Sequence, residues 1–177
     1  GLVYGTLENQ LQIDYALDRL MDHPTREPVQ RDILRMGAYQ ILFLDRVPDS
    51  AAVDEAVKLT RAMGMEAACG FINAVLRNLS RGKDEIAWPD READPMTYLS
   101  VMGSMPRWLV DKLVAAYGPE EAGRVILYRE EEHPVCVRPN FTRLSDAEFE
   151  ALLHEKGWRA ERGLAPHAWL IYGAGDL

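Results

Sequence analysis

Metal-binding and redox chemistry find little to work with in this 177-residue chain. It has only two cysteines, Cys69 and Cys136, far apart and in no CxxC or other ligand spacing. Four histidines, His23, His133, His154 and His167, show no ligand spacing either, so no metal site is expected. Glycines stand singly at 64, 70 and 82, or gather only at Gly173-Ala174-Gly175, where a predicted strand has no helix after it. A nucleotide-type cofactor needs a glycine-rich turn between a strand and a helix, so no cofactor loop is expected in these residues. No apolar run approaches the roughly 20 residues of a membrane span. No basic segment leading into an apolar stretch opens the chain, and there is no internal repeat or low-complexity tract. Excess positive charge is also lacking: 20 Lys and Arg against 28 Asp and Glu leave a net −8. That argues against non-specific adhesion to nucleic acid, while leaving room for a local basic face. Both cysteines are expected to be free, buried thiols in a reducing cytoplasm.

What the chain does have is helical periodicity. Apolar residues from Leu2 to Met21 recur at three- and four-residue spacing, which predicts one helix ended by His23-Pro24-Thr25. A second helix is predicted over 28–45, with Pro28 in its first turn and Ile33, Leu34, Ala38, Ile41, Leu42 and Leu44 inward. Asp49 or Ser50 would cap a third helix that runs to Met63 and stops at Gly64. A fourth, over 66–80, turns Phe71, Ile72, Val75, Leu76 and Leu79 inward. Residues 1–82 therefore read as an all-helical bundle. The charged, proline-flanked stretch 83–94 reads as a linker that can pack at Trp88. Residues 95–177 read as helices (95–102, 105–117, 119–131) and then a small unit in β-α-β-β order. Its strands are 134–140, 158–161 and 168–172, and its helix begins with the Ser145/Glu148 capping box. The fold class expected is mainly α, a helical bundle followed by a small α+β unit.

The candidate binding residues are basic. Arg77 and Arg81 are one helical turn apart and Lys83 follows, so the three can meet phosphates. Cations also gather at a helix C-terminus for the macrodipole alone, and that alternative stays open. Arg31 and Arg35 form a second pair, with Asp32 beside them as a surface ion-pair partner. Arg138, near Pro139 and Asn140, can meet RNA, dock on another domain, or be merely solvated. Tyr15, Tyr39 and Phe43 have core spacing, and Trp108 is placed to anchor the second part of the chain on the first. Trp158 and Trp169 fall in predicted strands without the RNP-type pattern of a base-stacking sheet.

Several of these segments carry a resemblance. Pro48, Glu55-Ala56-Val57, Gly64, Phe71, Asn73 and Val75-Leu76 follow a pattern shared by the antitermination factor NusB and by a methyltransferase family. GAYQILFLDR (37–46) and NAVLRNLSR (73–81) are more similar to the NusB-like domain of the bacterial 16S rRNA cytosine-C5 methyltransferases, the RsmB or Sun family. PRWLVDKLVAAYGPEEAGRVI (106–126), Arg138 with Asn140, the helix from Ser145, and Gly157-Trp158 extend the likeness past the bundle, where free NusB ends. Asp54 departs from it, standing where the family carries Asn.

The resemblance implies a NusB-like bundle, an α+β unit and a non-catalytic role in recognising small-subunit rRNA. It also implies that S-adenosylmethionine and the catalytic cysteines belong to a later methyltransferase domain. Neither Cys69, in AACGFIN, nor Cys136, in PVCVRP, has the Pro-Cys-Ser-Gly setting of the nucleophile, so no catalytic residue is assigned. Two further helices would normally precede LVYGTL, and faces at Leu11, Leu17 and Leu42 would be under-buried without them, favouring self-association. The expected partners are small-subunit rRNA and the family's own catalytic domain, in the cytoplasm, with no membrane. The alternatives are a stand-alone NusB-type antitermination module or a helical protein-interaction domain.

Overall fold

A computed structural model describes residues 1–21, 24–25, 27–128 and 134–172. The expected helix over 2–21 is two helices, α1 (Leu2–Glu8) and α2 (Gln10–Asp18). Thr6 Oγ1 donates to Leu2 O at 2.8 Å, and Asn9 Nδ2 donates to Gly5 O at 2.9 Å. Such back-bonding to the carbonyl four residues earlier competes with the helix and bends it, and the break falls at Asn9. Next come α3 (Pro28–Phe43), α4 (Asp49–Ala62) and α5 (Cys69–Gly82), each within two or three residues of the period-based reading. Pro28 begins α3, where its missing N–H costs nothing. The residue flanking α4 is Pro48, and Asp49 lies inside the first turn without capping it.

The first core gathers Ile13, Leu17, Ile33, Leu34, Ile72, Leu76 and Leu79, all 2% exposed or less. Helices α3 and α5 approach closely because position 37 is glycine: a Cβ there would lie 2.6 Å from Leu76 Cδ1. The rings of Tyr39 and Phe43 stack at 5.4 Å and pack on the core, as their spacing implies. Leu17 is fully buried, contrary to the expected under-burial, and Leu11 and Leu42 are half-buried. Apolar side chains are left open on α1, where Val3, Tyr4 and Leu7 are all exposed.

The stretch read as a linker lies against the bundle. Trp88 packs on the first core and stacks with Tyr15 at 5.8 Å, while Tyr15 Oη donates to Ala87 O at 3.0 Å. Helices α6 (Pro95–Met102), α7 (Arg107–Tyr117) and α8 (Pro119–Ile126) follow, with a small core of Leu99, Val110, Ala122 and Ile126. They join the bundle through α2, where the Leu11 N–H donates to Ser104 Oγ at 2.9 Å. Trp108, the expected anchor, is instead 61% exposed with the Lys112 ammonium 5.6 Å from its ring. The chain divides into two compact units, Gly1–Tyr128 and Arg129–Leu177, so α6–α8 belong with the bundle.

The second unit holds β1 (Val135–Val137), α9 (Asp146–Glu155), β2 (Arg159–Arg162) and β3 (Trp169–Tyr172). The sheet order is β1-β3-β2, and β3 runs antiparallel to both neighbours. Strands β1 and β2 are therefore parallel with β3 between them, a split βαβ unit. Ser145 and Glu148 form the expected reciprocal capping box on α9. Alternate residues of β3, Trp169 and Ile171, face a core shared with Leu153, Phe149, Val137 and Trp158. Cys136 points outward and is exposed, and Cys69 is only half-buried, so the expectation of two buried thiols fails. Alternation on a strand puts Cys136 on the face opposite the core. His23, His133, residues 129–131 of the helix expected over 119–131, and Gly173-Ala174-Gly175 lie outside the described residues.

Candidate nucleic-acid interface

The C-terminal half of α5 lies beside the N-terminus of α4. Both helices are amphipathic, and pairing their apolar faces leaves Asp49, Ser50, Arg77, Ser80 and Arg81 along one seam. With Val53 these side chains line an open cleft of about 300 Å³. Arg77 and Arg81, both exposed, are thus brought together as their spacing requires. The Arg81 guanidinium donates to Asn78 Oδ1 at 2.7 Å and to Arg77 O at 3.2 Å, which fixes its direction.

Lys83 goes elsewhere. Its ammonium donates to both carboxylate oxygens of Asp49, at 3.0 and 3.2 Å, and Ser80 Oγ donates to the same carboxylate at 2.8 Å. Partial burial pushes the Asp49 carboxyl up, but the bonds from Lys83 and Ser80 and the Lys83 charge outweigh it, so its pKa lies below the ordinary value. Asp49 is therefore ionised and compensated. Among the described residues neither Arg77 nor Arg81 is paired with a carboxylate, and the N-terminal end of α4 adds positive potential to the cleft. A cleft of this make-up suits a phosphate oxygen.

Arg138 lies in the second compact unit. It is exposed, with its guanidinium carbon 5.9 Å from the centre of the Phe141 ring. Arg31 and Arg35 make more than a surface pair with Asp32: both bind Asp14 on α2, at 2.8 and 2.7 Å, and Arg31 also binds Asp18. That network joins α2 to α3 and leaves neither arginine free. Trp169 is buried and His154 is exposed. Among the described residues no group of histidine, cysteine and carboxylate side chains could hold a metal. Also among them, no helix is long and apolar enough to cross a membrane. Sequence reading missed Asp49 and Ser80 as parts of the cleft, since nothing in 49–50 and 80–83 separately signals that they meet.

Comparison with known proteins divides the chain earlier than its two compact units do, placing α7 and α8 with the second part. The NusB family model matches residues 1–81, and a model described as Methyltr_RsmF/B-like, ferredoxin-like domain matches residues 105–177. The chain is 32% identical over 163 residues to the probable ribosomal RNA small subunit methyltransferase B of Bacillus subtilis (strain 168), covering 92% of this chain and 36% of that protein. It is 31% identical over 169 residues to the ribosomal RNA small subunit methyltransferase B of Escherichia coli O1:K1 / APEC, covering 94% and 37%. The chain thus spans about a third of the length of the curated relatives it matches. The crystal structure of PH0851 superposes with a TM-score of 0.62 at 17% identity, over 99% of this chain and 39% of that one, which establishes likeness of fold alone.

Proposed function

The chain belongs, over almost its whole length, to the ribosomal RNA small subunit methyltransferase B family, and on that premise we propose that these residues form a non-catalytic rRNA-recognition region. In this reading the α4–α5 cleft holds a backbone phosphate. Arg77 and Arg81 make the contacts, and Lys83 supports them by neutralising Asp49. Arg138 adds a contact from the second unit. The observation that carries the reading is the cleft itself: two guanidinium groups, that of Arg81 directed by its bonds to Asn78 and Arg77 O, beside a helix N-terminus in a chain of net charge −8. Methyl transfer to carbon 5 of cytosine, with S-adenosylmethionine as donor, is assigned to a catalytic domain that these residues would position on its substrate.

A filter-binding titration against a small-subunit rRNA hairpin tests the reading. Each phosphate contact removed should lower the slope of log affinity against log salt by roughly 0.7–0.9. The double variant Arg77→Ala/Arg81→Ala should therefore bind more weakly, with a shallower slope by about 1.4–1.8. Equal affinities and equal slopes would leave this seam as a solvated helix end. Isothermal titration of the 177-residue chain with S-adenosylmethionine should show no saturable binding.

A further inference from the structure

The second unit presents an aromatic ring that its own core does not use. Phe141 is 43% exposed and lies outside the cluster built on Leu153, Trp169 and Ile171. The loop that carries it is held by its own backbone. Asn140 Oδ1 accepts from the Thr142 N–H at 3.1 Å and the Thr142 hydroxyl at 2.7 Å, and Asn140 O accepts from the N–H groups of Arg143 and Leu144. The ring is therefore displayed at the tip of a fixed turn.

Its neighbours are planar, an imidazole and a guanidinium. The His167 ring meets it edge to face, with centroids 4.7 Å apart, and the Arg138 guanidinium stands 5.9 Å from its centre. Arg143 is exposed two residues on, and residues 138–143 carry two arginines and no carboxylate. His167 is held in place at some cost. Its backbone is in the left-handed region, φ 62°, and its Nδ1 is 2.8 Å from Asp146 Oδ2 in the first turn of α9. Asp146 is in turn 3.3 Å from Arg162, so the imidazole is braced from the helix and from β2.

We propose that Phe141, flanked by Arg138 and His167, is a stacking site for one unpaired RNA base, with Arg138 and Arg143 on the adjoining phosphates. Every base has a π-face, so the site reads strandedness more than sequence. It thus complements the α4–α5 cleft, which has charge and no exposed ring. The inference rests on the RNA-recognition reading above; it shares Arg138 with that reading, while Phe141, His167 and Arg143 are new to it.

Fluorescence anisotropy on the 177-residue chain tests it, with a single-stranded oligoribonucleotide and an abasic oligomer of equal length and charge. Phe141→Ala should weaken binding of the base-containing strand by roughly five- to a hundred-fold, the cost of one base–aromatic stack, and leave binding of the abasic strand unchanged. Phe141→Tyr should retain wild-type affinity, and the salt slope should not move in either variant. Arg138→Gln should flatten the slope for both strands. Equal loss on both oligomers, or no loss with Phe141→Ala, overturns the stacking site. If that happens while Arg77→Ala/Arg81→Ala still reduces binding, the recognition reading stands and only the stacking site falls. Binding of neither strand by the wild-type chain would remove both. Because Phe141 lies outside the core, Phe141→Ala should melt with the wild type, which separates loss of stacking from loss of fold.

Discussion

Lys83 reaches back 34 residues to place its ammonium 3.0 Å from Asp49 Oδ2, tying the end of α5 to the start of α4. The pair is only about 30% exposed on each side, so it is screened less than an open surface bridge. It decides the sign of the cleft beside it. With Lys83 in place the seam offers two arginines to an anion; without it the Asp49 charge stands among them. Lys83→Ala should therefore weaken RNA-hairpin binding in filter assays by several-fold while leaving Arg77 and Arg81 untouched.

The same pair sets a pH dependence. The Asp49 pKa is lower folded than unfolded, so its stabilisation is present above the unfolded value, near 4, and is lost as pH falls through the folded one. Asp49→Asn should cost about 1 kcal/mol at pH 7, in keeping with a partly exposed pair. The difference from wild type should vanish in the most acidic range where both still fold. Urea unfolding at pH 7, 5 and 3.5 would check this, and a constant difference at all three would contradict it.

Asp14 accepts from Arg31 and Arg35 with its side chain 17% exposed, and it joins α2 to α3. Asp14→Ala leaves two partly buried guanidinium groups competing for Asp18 and Asp32. A loss of about 2–3 kcal/mol is expected, toward the lower limit for breaking a buried pair. Arg35→Met, which keeps the stem and removes one charge, should cost less. A denaturant series on the three proteins gives the order.

Cys136 is exposed on β1, whereas Cys69 is half-buried with its Sγ 3.8 Å from Val57 O. A thiol-specific disulfide reagent should titrate one thiol rapidly in the native chain and the second slowly. Cys136→Ser should abolish the fast phase; loss of the slow phase instead would reverse the assignment.

The exposed apolar face of α1, with Val3, Tyr4 and Leu7, is the surface from which self-association is expected, in place of the Leu17 face. Sedimentation velocity should show concentration-dependent association of the 177-residue chain. Leu7→Ser with Tyr4→Ser should reduce it without changing the melting temperature by more than a few degrees.

Much of the architecture is legible along the chain because helical and strand periods record which face avoids water. The stripes of α3, α4 and α5, the Ser145 capping box and the β-α-β-β order all follow from that rule. So does the meeting of Arg77 with Arg81, since neighbours four apart share a face in any helix. The break at Asn9 is local too, but it turns on two side chains choosing a backbone carbonyl over solvent, which a period cannot show. Tertiary structure alone decided that Lys83 leaves its arginine neighbours for Asp49, and that α6–α8 attach to the bundle through α2. It alone buried Leu17 and Trp169 while leaving Phe141 and Trp108 in the open. Charge pairing and the exposure of a single ring depend on what lies within a few ångströms in space, and residues 34 or 93 apart in sequence carry no mark of having met.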